Sequence, residues 1–331
     1  MTKEEIHTTF ELFNDQRVLI IGDVMIDTYM WGKVNRISPE APVPIVVVKE
    51  MENRLGGAAN VALNIQAMGA VPILCSVVGV DREGELFLEL LKKQKLSSKG
   101  ILKSRGRITT VKTRIIGNNH QMIRIDQEID SDISASETEQ LIVRISHLLK
   151  NEKIDVIIFE DYDKGLITSS LIQKIVDIAR QKNIPVVADP KRKNFHHYKR
   201  VTLFKPNLKE LNEGLKAELD FSDIKEIKKL LSAFRTKQKI DTALVTLSEN
   251  GIYVHDDKNK EIIAAHVRNI ADVSGAGDTV VSVAALCVSL QLSSLVTAKI
   301  SNLAGGLVCE QIGVVPVNKQ QLLDETLALY K

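Results

Sequence analysis

The chain has 331 residues, 44% of them hydrophobic and 26% charged, the balance of an ordinary globular protein. Its 44 Lys plus Arg against 42 Asp plus Glu leave a formal charge of +2, so no basic surplus points to nucleic acid or an anionic membrane as the main partner. No uninterrupted apolar run is long enough for a bilayer, and residues 1–11 are too polar for a secretory signal, so the cytoplasm is the expected compartment. Cys75, Cys287 and Cys309 lie far apart in apolar contexts, as buried free thiols do, without the spacing of a metal site or disulfide framework.

In chain order, the first buried strand is expected at residues 18–21, ending at Gly22. Gly22-Asp23-Val24-Met25-Ile26-Asp27 then sets Asp23 and Asp27 just beyond it, where carboxylates can accept from sugar hydroxyls or simply cap a turn. Residues 42–48 read as a strand with no helix before it. Arg54-Leu55-Gly56-Gly57-Ala58-Ala59-Asn60 is a glycine loop opening a helix at 58–68. Gly56 and Gly57 permit close backbone approach, and Asn60 can donate to and accept from a polyol. A strand at 73–78 and a helix at 83–93 follow. Residues 110–116 and 122–126 read as a hairpin turning at Gly117-Asn118-Asn119. It carries Lys112, Arg114 and Arg124, which could seize a substrate phosphate or be the usual cations of an exposed sheet. The segments 28–50 and 106–126 are expected to form a small sheet lying over the site, a lid inserted into one compact domain spanning 1–331.

Helices are expected at 136–150, 169–182 and 225–234, and strands at 156–159, 186–188, 201–204 and 243–247. Such alternation predicts an α/β fold with a mainly parallel sheet covered on both faces, and ligands bound beyond the carboxyl ends of its strands. Asp189-Pro190-Lys191 and Lys205-Pro206-Asn207-Leu208-Lys209-Glu210 fall at that edge. Asn207 with Glu210 three residues on is a capping pattern, and the same pair could hold the waters of a hydrated Mg²⁺. Thr246, Ser248 and Gly251 either contact a nucleotide or form the hairpin turn into 252–255. The seven histidines show no ligand spacing.

Asp272-Val273-Ser274-Gly275-Ala276-Gly277-Asp278, followed by the apolar run 279–290, is the most chemically pointed stretch. A small-residue loop opens a buried helix, whose free N–H groups and dipole suit a phosphate. Asp278 is repelled by such a phosphate unless it has a task, such as taking a proton from an attacking hydroxyl; the alternative is a plain acid at a helix start.

Together these motifs resemble the ribokinase-like sugar kinases, the phosphofructokinase-B family, in order from Val18 to about Val317. Gly56-Gly57 with Asn60 matches the N-terminal signature, and 272–278 matches the C-terminal one with Val273 in place of the usual Thr. Within the family the chain is most similar to the D-glycero-β-D-manno-heptose 7-phosphate kinases, chiefly through Arg36-Ile37-Ser38-Pro39-Glu40-Ala41-Pro42-Val43-Pro44. The resemblance implies a three-layer sandwich, ATP and Mg²⁺, and a possible need for a monovalent cation. It implies Asp278 as catalytic base and Gly275, Ala276 and Gly277 as the anion hole. Asn207, Glu210, Thr246, Ser248, Gly251 and Asn302 would serve nucleotide and Mg²⁺, and Asp23, Asp27, Gly56, Gly57 and Asn60 the sugar. The lid sheet has edges to pair, so a homodimer joined there is expected. The nucleotidyltransferase often fused to the heptose enzymes carries a His-x-Gly-His motif that these residues lack, so a separate one is expected. The rivals are a kinase of another sugar, such as a ketose phosphate, ribose or a nucleoside, and a non-catalytic sensor. A dehydrogenase is disfavoured, since no Gly-x-Gly-x-x-Gly follows the first strand.

Overall fold

The computed structural model describes residues 1–118, 120–220, 224–266 and 268–330; the expected turn residue Asn119 lies outside the described residues. In chain order the strands are β1 (Arg17–Gly22), β2 (Val24–Ile37), β3 (Pro44–Gly57), β4 (Val71–Gly79), β5 (Gly100–Ser104), β6 (Val111–Gly117) and β7 (His120–Gln127). They continue as β8 (Val156–Glu160), β9 (Val186–Asp189), β10 (Leu203–Phe204), β11 (Thr242–Thr246), β12 (Ile252–His255) and β13 (Lys260–Ile263). Nine of them form one sheet in the order β13-β12-β11-β10-β9-β8-β1-β4-β5, parallel from β5 to β11 and antiparallel at the β12 and β13 edge.

Because side chains alternate along a strand, β1 feeds both faces. Val18 and Ile20 pack with the helices Lys3–Leu12, Ala58–Ala67, Ala276–Ser289 and Ser294–Val308, while Leu19 and Ile21 pack with Ala135–Asn151, Ser169–Gln181 and Ile224–Gln238. The chain is therefore an α/β three-layer sandwich of ribokinase-like type, as expected. Helix Ala276–Ser289 is apolar nearly all round, which fits its position between the sheet and two further helices.

The second sheet, in the order β3-β2-β6-β7, is smaller and mostly antiparallel, with β2 and β6 parallel. Its strands run further than the sequence reading placed them. The chain leaves the large sheet at Asp23, whose carbonyl accepts the Ala58 N–H at 2.9 Å, and enters β2 at once. Asp27 thus sits within the small sheet, whereas the sequence reading set it at the tip of the first strand. The expected strand at 42–48 is the outer part of β3, and that at 201–204 shrinks to two residues. Residues 38–43 form the exposed tip between β2 and β3.

Candidate active site

Strand β1 is flanked by β4 on one side and β8 on the other, so the sheet order reverses there. Crevices form at the carboxyl ends of strands at such a reversal. Asp23, Glu160, Asp189 and Lys205 all lie there, at or just beyond the ends of β1, β8, β9 and β10. The N-terminus of helix Ala276–Ser289 meets the same edge. Gly275 caps that helix with φ 81°, a conformation that favours glycine, and a Cβ on it would stand 3.0 Å from Asn60 Nδ2. A Cβ on Gly277 would meet only Lys205 Nζ within 4 Å, at 3.8 Å. The first-turn amides thus face open space with one buried ammonium beside it, which suits an anion.

Asp278 lies in the first turn and is 7% exposed. Its Oδ2 accepts from Asn60 Nδ2 and its Oδ1 from the Tyr162 hydroxyl, both at 2.7 Å. Burial pushes its carboxyl up to about 6, against the pull of those two donors. A base that titrates near there is ionised at neutral pH yet takes a proton readily. Asn60 is itself fixed: Asn64 Nδ2 donates to its carbonyl at 3.0 Å, and Asn64 Oδ1 accepts from Thr279 Oγ1 at 3.1 Å. The side chain expected on the sugar therefore reaches the expected base.

Beside this group runs a buried chain of charges. Lys205 Nζ lies 2.8 Å from Asp189 Oδ2, and Lys191 Nζ bonds Glu210 Oε1. Glu210 and Asn207 cap each other reciprocally at 2.8 Å, so the capping pattern is real and its carboxylate also holds a lysine. Asp189 Oδ1 and Glu160 Oε2 are buried without a hydrogen-bond partner among the described residues. Burial, then the neighbouring Asp189 and Asp278, hold Glu160 well above the usual carboxylate range. Thr246 joins this end through its N–H to the Pro206 carbonyl at 3.0 Å. Ser248, Gly251 and Asn302 lie further along the same edge. Gly251 takes φ 91° in the turn from β11 to β12, where a Cβ would stand 2.0 Å from the Ile263 carbonyl; Asn302 Nδ2 donates to the Ala264 carbonyl at 2.8 Å.

In the small sheet Asp27 is buried and paired with Arg114 at 2.5 Å. Gly56 opposes it closely: a Cβ there would stand 2.1 Å from Asp27 Oδ2. Arg54 and Arg114 both lie over the Tyr29 ring, at 4.9 and 5.2 Å from its centroid. Lys112 is bound to Asp126 and Glu128 at 2.9 and 3.0 Å, and the half-exposed Arg124 to Asp126 at 2.9 Å. Asp23 accepts the backbone N–H groups of Tyr162, Lys164 and Leu166 at 2.9, 3.2 and 3.1 Å, so its carboxylate organises the loop after β8.

Sequence reasoning passed over Tyr162, Glu160 and the buried role of Lys205. The signal was present in Glu160-Asp161-Tyr162-Asp163, a polar cluster directly after an apolar strand. A phenol reaching a helix start 116 positions away is invisible to local pattern.

A parallel sheet with an order reversal, a glycine-initiated helix and a buried carboxylate in its first turn are the features of an α/β fold that can receive a phosphate. The chain belongs to the pfkB family of carbohydrate kinases, which it matches over residues 15–321. It is thus an ATP-dependent phosphotransferase of sugars. It is 37% identical to the bifunctional protein HldE of Desulfatibacillum aliphaticivorans over 99% of this chain and 68% of that one. It is also 37% identical to that of Helicobacter pylori strain HPAG1, over 90% and 64%. The chain therefore spans about two thirds of the length of these relatives. Among solved structures, phosphofructokinase-2 from Escherichia coli in complex with potassium superposes with TM-score 0.80 at 16% identity, over 96% of this chain and 100% of that one. Arabidopsis thaliana ribokinase complexed with ribose and ATP superposes at 0.69 with 15% identity, over 93% and 99%.

Proposed function

We propose that the chain transfers the γ-phosphoryl group of ATP to the anomeric 1-hydroxyl of D-glycero-β-D-manno-heptose 7-phosphate, giving the 1,7-bisphosphate. The observation that carries the transfer is Asp278: a buried carboxylate raised to about 6, in the first turn of a helix with an open N-terminus. The heptose rests on the likeness to the HldE proteins along almost the whole chain and on the segment 36–44.

In this reading Asp278 takes the proton of the attacking hydroxyl as the new O–P bond forms and the bond to the departing ADP breaks. The amides of Gly275, Ala276 and Gly277, with Lys205, stabilise charge on the phosphoryl oxygens. Asp27, Gly56 and Gly57 hold the sugar, and the arginines over Tyr29 meet its 7-phosphate. Lys112 and Arg124, already paired with carboxylates, are the weaker candidates. Thr246, Ser248, Gly251 and Asn302 line the nucleotide pocket. The buried unpartnered oxygens of Asp189 and Glu160, with Glu210, fit a hydrated Mg²⁺, which needs few direct carboxylates; no set of three or more metal-ligating side chains stands ready among the described residues. Mg²⁺ bound there supplies charge neutralisation of the phosphates. A monovalent cation is a further proposal, motivated by the potassium in the E. coli relative.

The small sheet acts as a lid that excludes water. Its outer strands expose Val48, Met51, Ile123 and Ile125, which the register sets on one face, an apolar surface fit for a second copy, so the protein is a homodimer through this sheet. The product is then consumed by a nucleotidyltransferase in lipopolysaccharide precursor synthesis, and the work is cytoplasmic. No helix among the described residues is long and apolar enough to cross a membrane.

The test is ADP release with Mg-ATP and a panel of heptose 7-phosphate, fructose 1- and 6-phosphate, ribose and adenosine. Turnover confined to the heptose phosphate supports the reading. Preference for another sugar sinks the substrate assignment, and ATP binding without any turnover turns the account toward a sensor.

A further inference from the structure

We propose that Tyr162 is the positioning residue of the catalytic carboxylate: its phenol donates to Asp278 Oδ1 and, with Asn60 on Oδ2, fixes the carboxylate plane toward the sugar hydroxyl. The inference rests on the phosphotransfer reading of the same site. Tyr162 reaches Asp278 from the loop after β8, and its backbone is tied at the other end to Asp23 Oδ2 at 2.9 Å. A second contact lies on the face of the ring, where Lys191 Nζ, bonded to Glu210, stands 5.4 Å from its centroid. The 2.7 Å contact is thus between two groups held independently, one by the β8 loop and one by helix Ala276–Ser289.

Each carboxylate oxygen can accept more than one hydrogen bond, so the donors from Tyr162 and Asn60 leave lone pairs for a substrate hydroxyl. Their effect is to favour the ionised form. The charged and titratable groups facing Asp278 are Tyr162 and Glu160 from β8 and its loop, Asp189 and Lys191 after β9, and Lys205 after β10. Asp189 raises its proton affinity, and Lys191 lowers it. Tyr162 alone among these titratable groups donates a hydrogen bond to it among the described residues. Without the phenol, the base gains proton affinity and loses its fixed orientation.

The experiment is a ¹³C-carboxyl aspartate titration of the full chain by NMR, with the Asp278 signal assigned by its loss in Asp278→Asn. Tyr162→Phe should move that titration up by about half to one pH unit. Site-specific 3-fluorotyrosine at 162, a stronger donor of nearly the same shape, should move it down. In turnover, Tyr162→Phe should shift the acid limb of kcat/KM up with the titration and lower kcat about tenfold above that limb, with the sugar KM within about twofold. An Asp278 titration that moves in neither variant overturns the proposal, as does a fluorotyrosine shift upward. The NMR readout needs no substrate, so a failed heptose assignment leaves it intact. Should Tyr162→Phe not fold, the fluorotyrosine arm decides.

Discussion

Asp278 must be ionised to accept a proton, so kcat/KM should fall about tenfold per pH unit below about 6, where burial has placed its titration. Asp278→Asn should lower kcat by at least about a thousandfold while ATP still binds, read by calorimetry beside the rate; an unchanged rate would remove Asp278 from the chemistry. Glu160 gives the linked stability prediction. Its carboxyl is raised in the fold, so its contribution is fully present below the ordinary glutamate range and is lost as pH rises through the raised value. Glu160→Gln should therefore melt higher than wild type at neutral pH, with the gain shrinking as the pH drops toward 4; the opposite trend would show that Glu160 is held ionised. At this scale the sequence displayed a small-residue loop before an apolar run, and that loop does open a buried helix with Asp278 in its first turn. It concealed that Asn60 and Tyr162 converge on one carboxylate, since both contacts join residues more than a hundred positions apart.

At the scale of elements, the apolar runs revealed most of the large sheet. Strands buried on both faces are unbroken hydrophobic stretches, and β1, β4, β8, β9 and β11 are of that kind. β2 was missed because it is buried only over its first six residues and its Asp27, Asn35 and Arg36 break the pattern. Helix Lys3–Leu12 was passed over as polar, although Thr2 and Glu5 form a capping box at its start. Two element-level tests follow from packing. In Gly56→Ala the new methyl collides with the Asp27 carboxylate and displaces it from Arg114. The sugar KM should rise about tenfold or more with the ATP KM within about twofold; equal changes in both would place Asp27 away from the sugar. In Asn207→Ala the helix Leu208–Leu215 loses its cap, costing about 1 kcal/mol of stability in denaturant unfolding. The Glu210 carboxylate stays held by the residue-207 N–H and by Lys191, so a rise in the ATP KM would report the Asn207 amide itself, and an unaltered ATP KM would leave Asn207 a cap alone.

For the whole molecule, the large sheet presents charged side chains at its order reversal, and the small sheet carries Asp27 paired with Arg114. The segment 36–44, which is the most particular part of the resemblance, forms the exposed tip of the β2 and β3 hairpin. Sequence pattern could mark that tip as distinctive but not where it would lie. Ile123→Lys with Met51→Lys should convert a dimer in sedimentation into a monomer; a wild-type monomer at micromolar concentration would refute the assembly. The central claim is Asp278-dependent phosphorylation of a sugar, and ³¹P NMR of Mg-ATP with heptose 7-phosphate tests it most directly. Wild type should produce one new anomeric phosphomonoester resonance beside the retained 7-phosphate, in step with ADP, and Asp278→Asn should produce neither. ADP rising with inorganic phosphate alone, or an equal product from the Asn variant, would contradict the account.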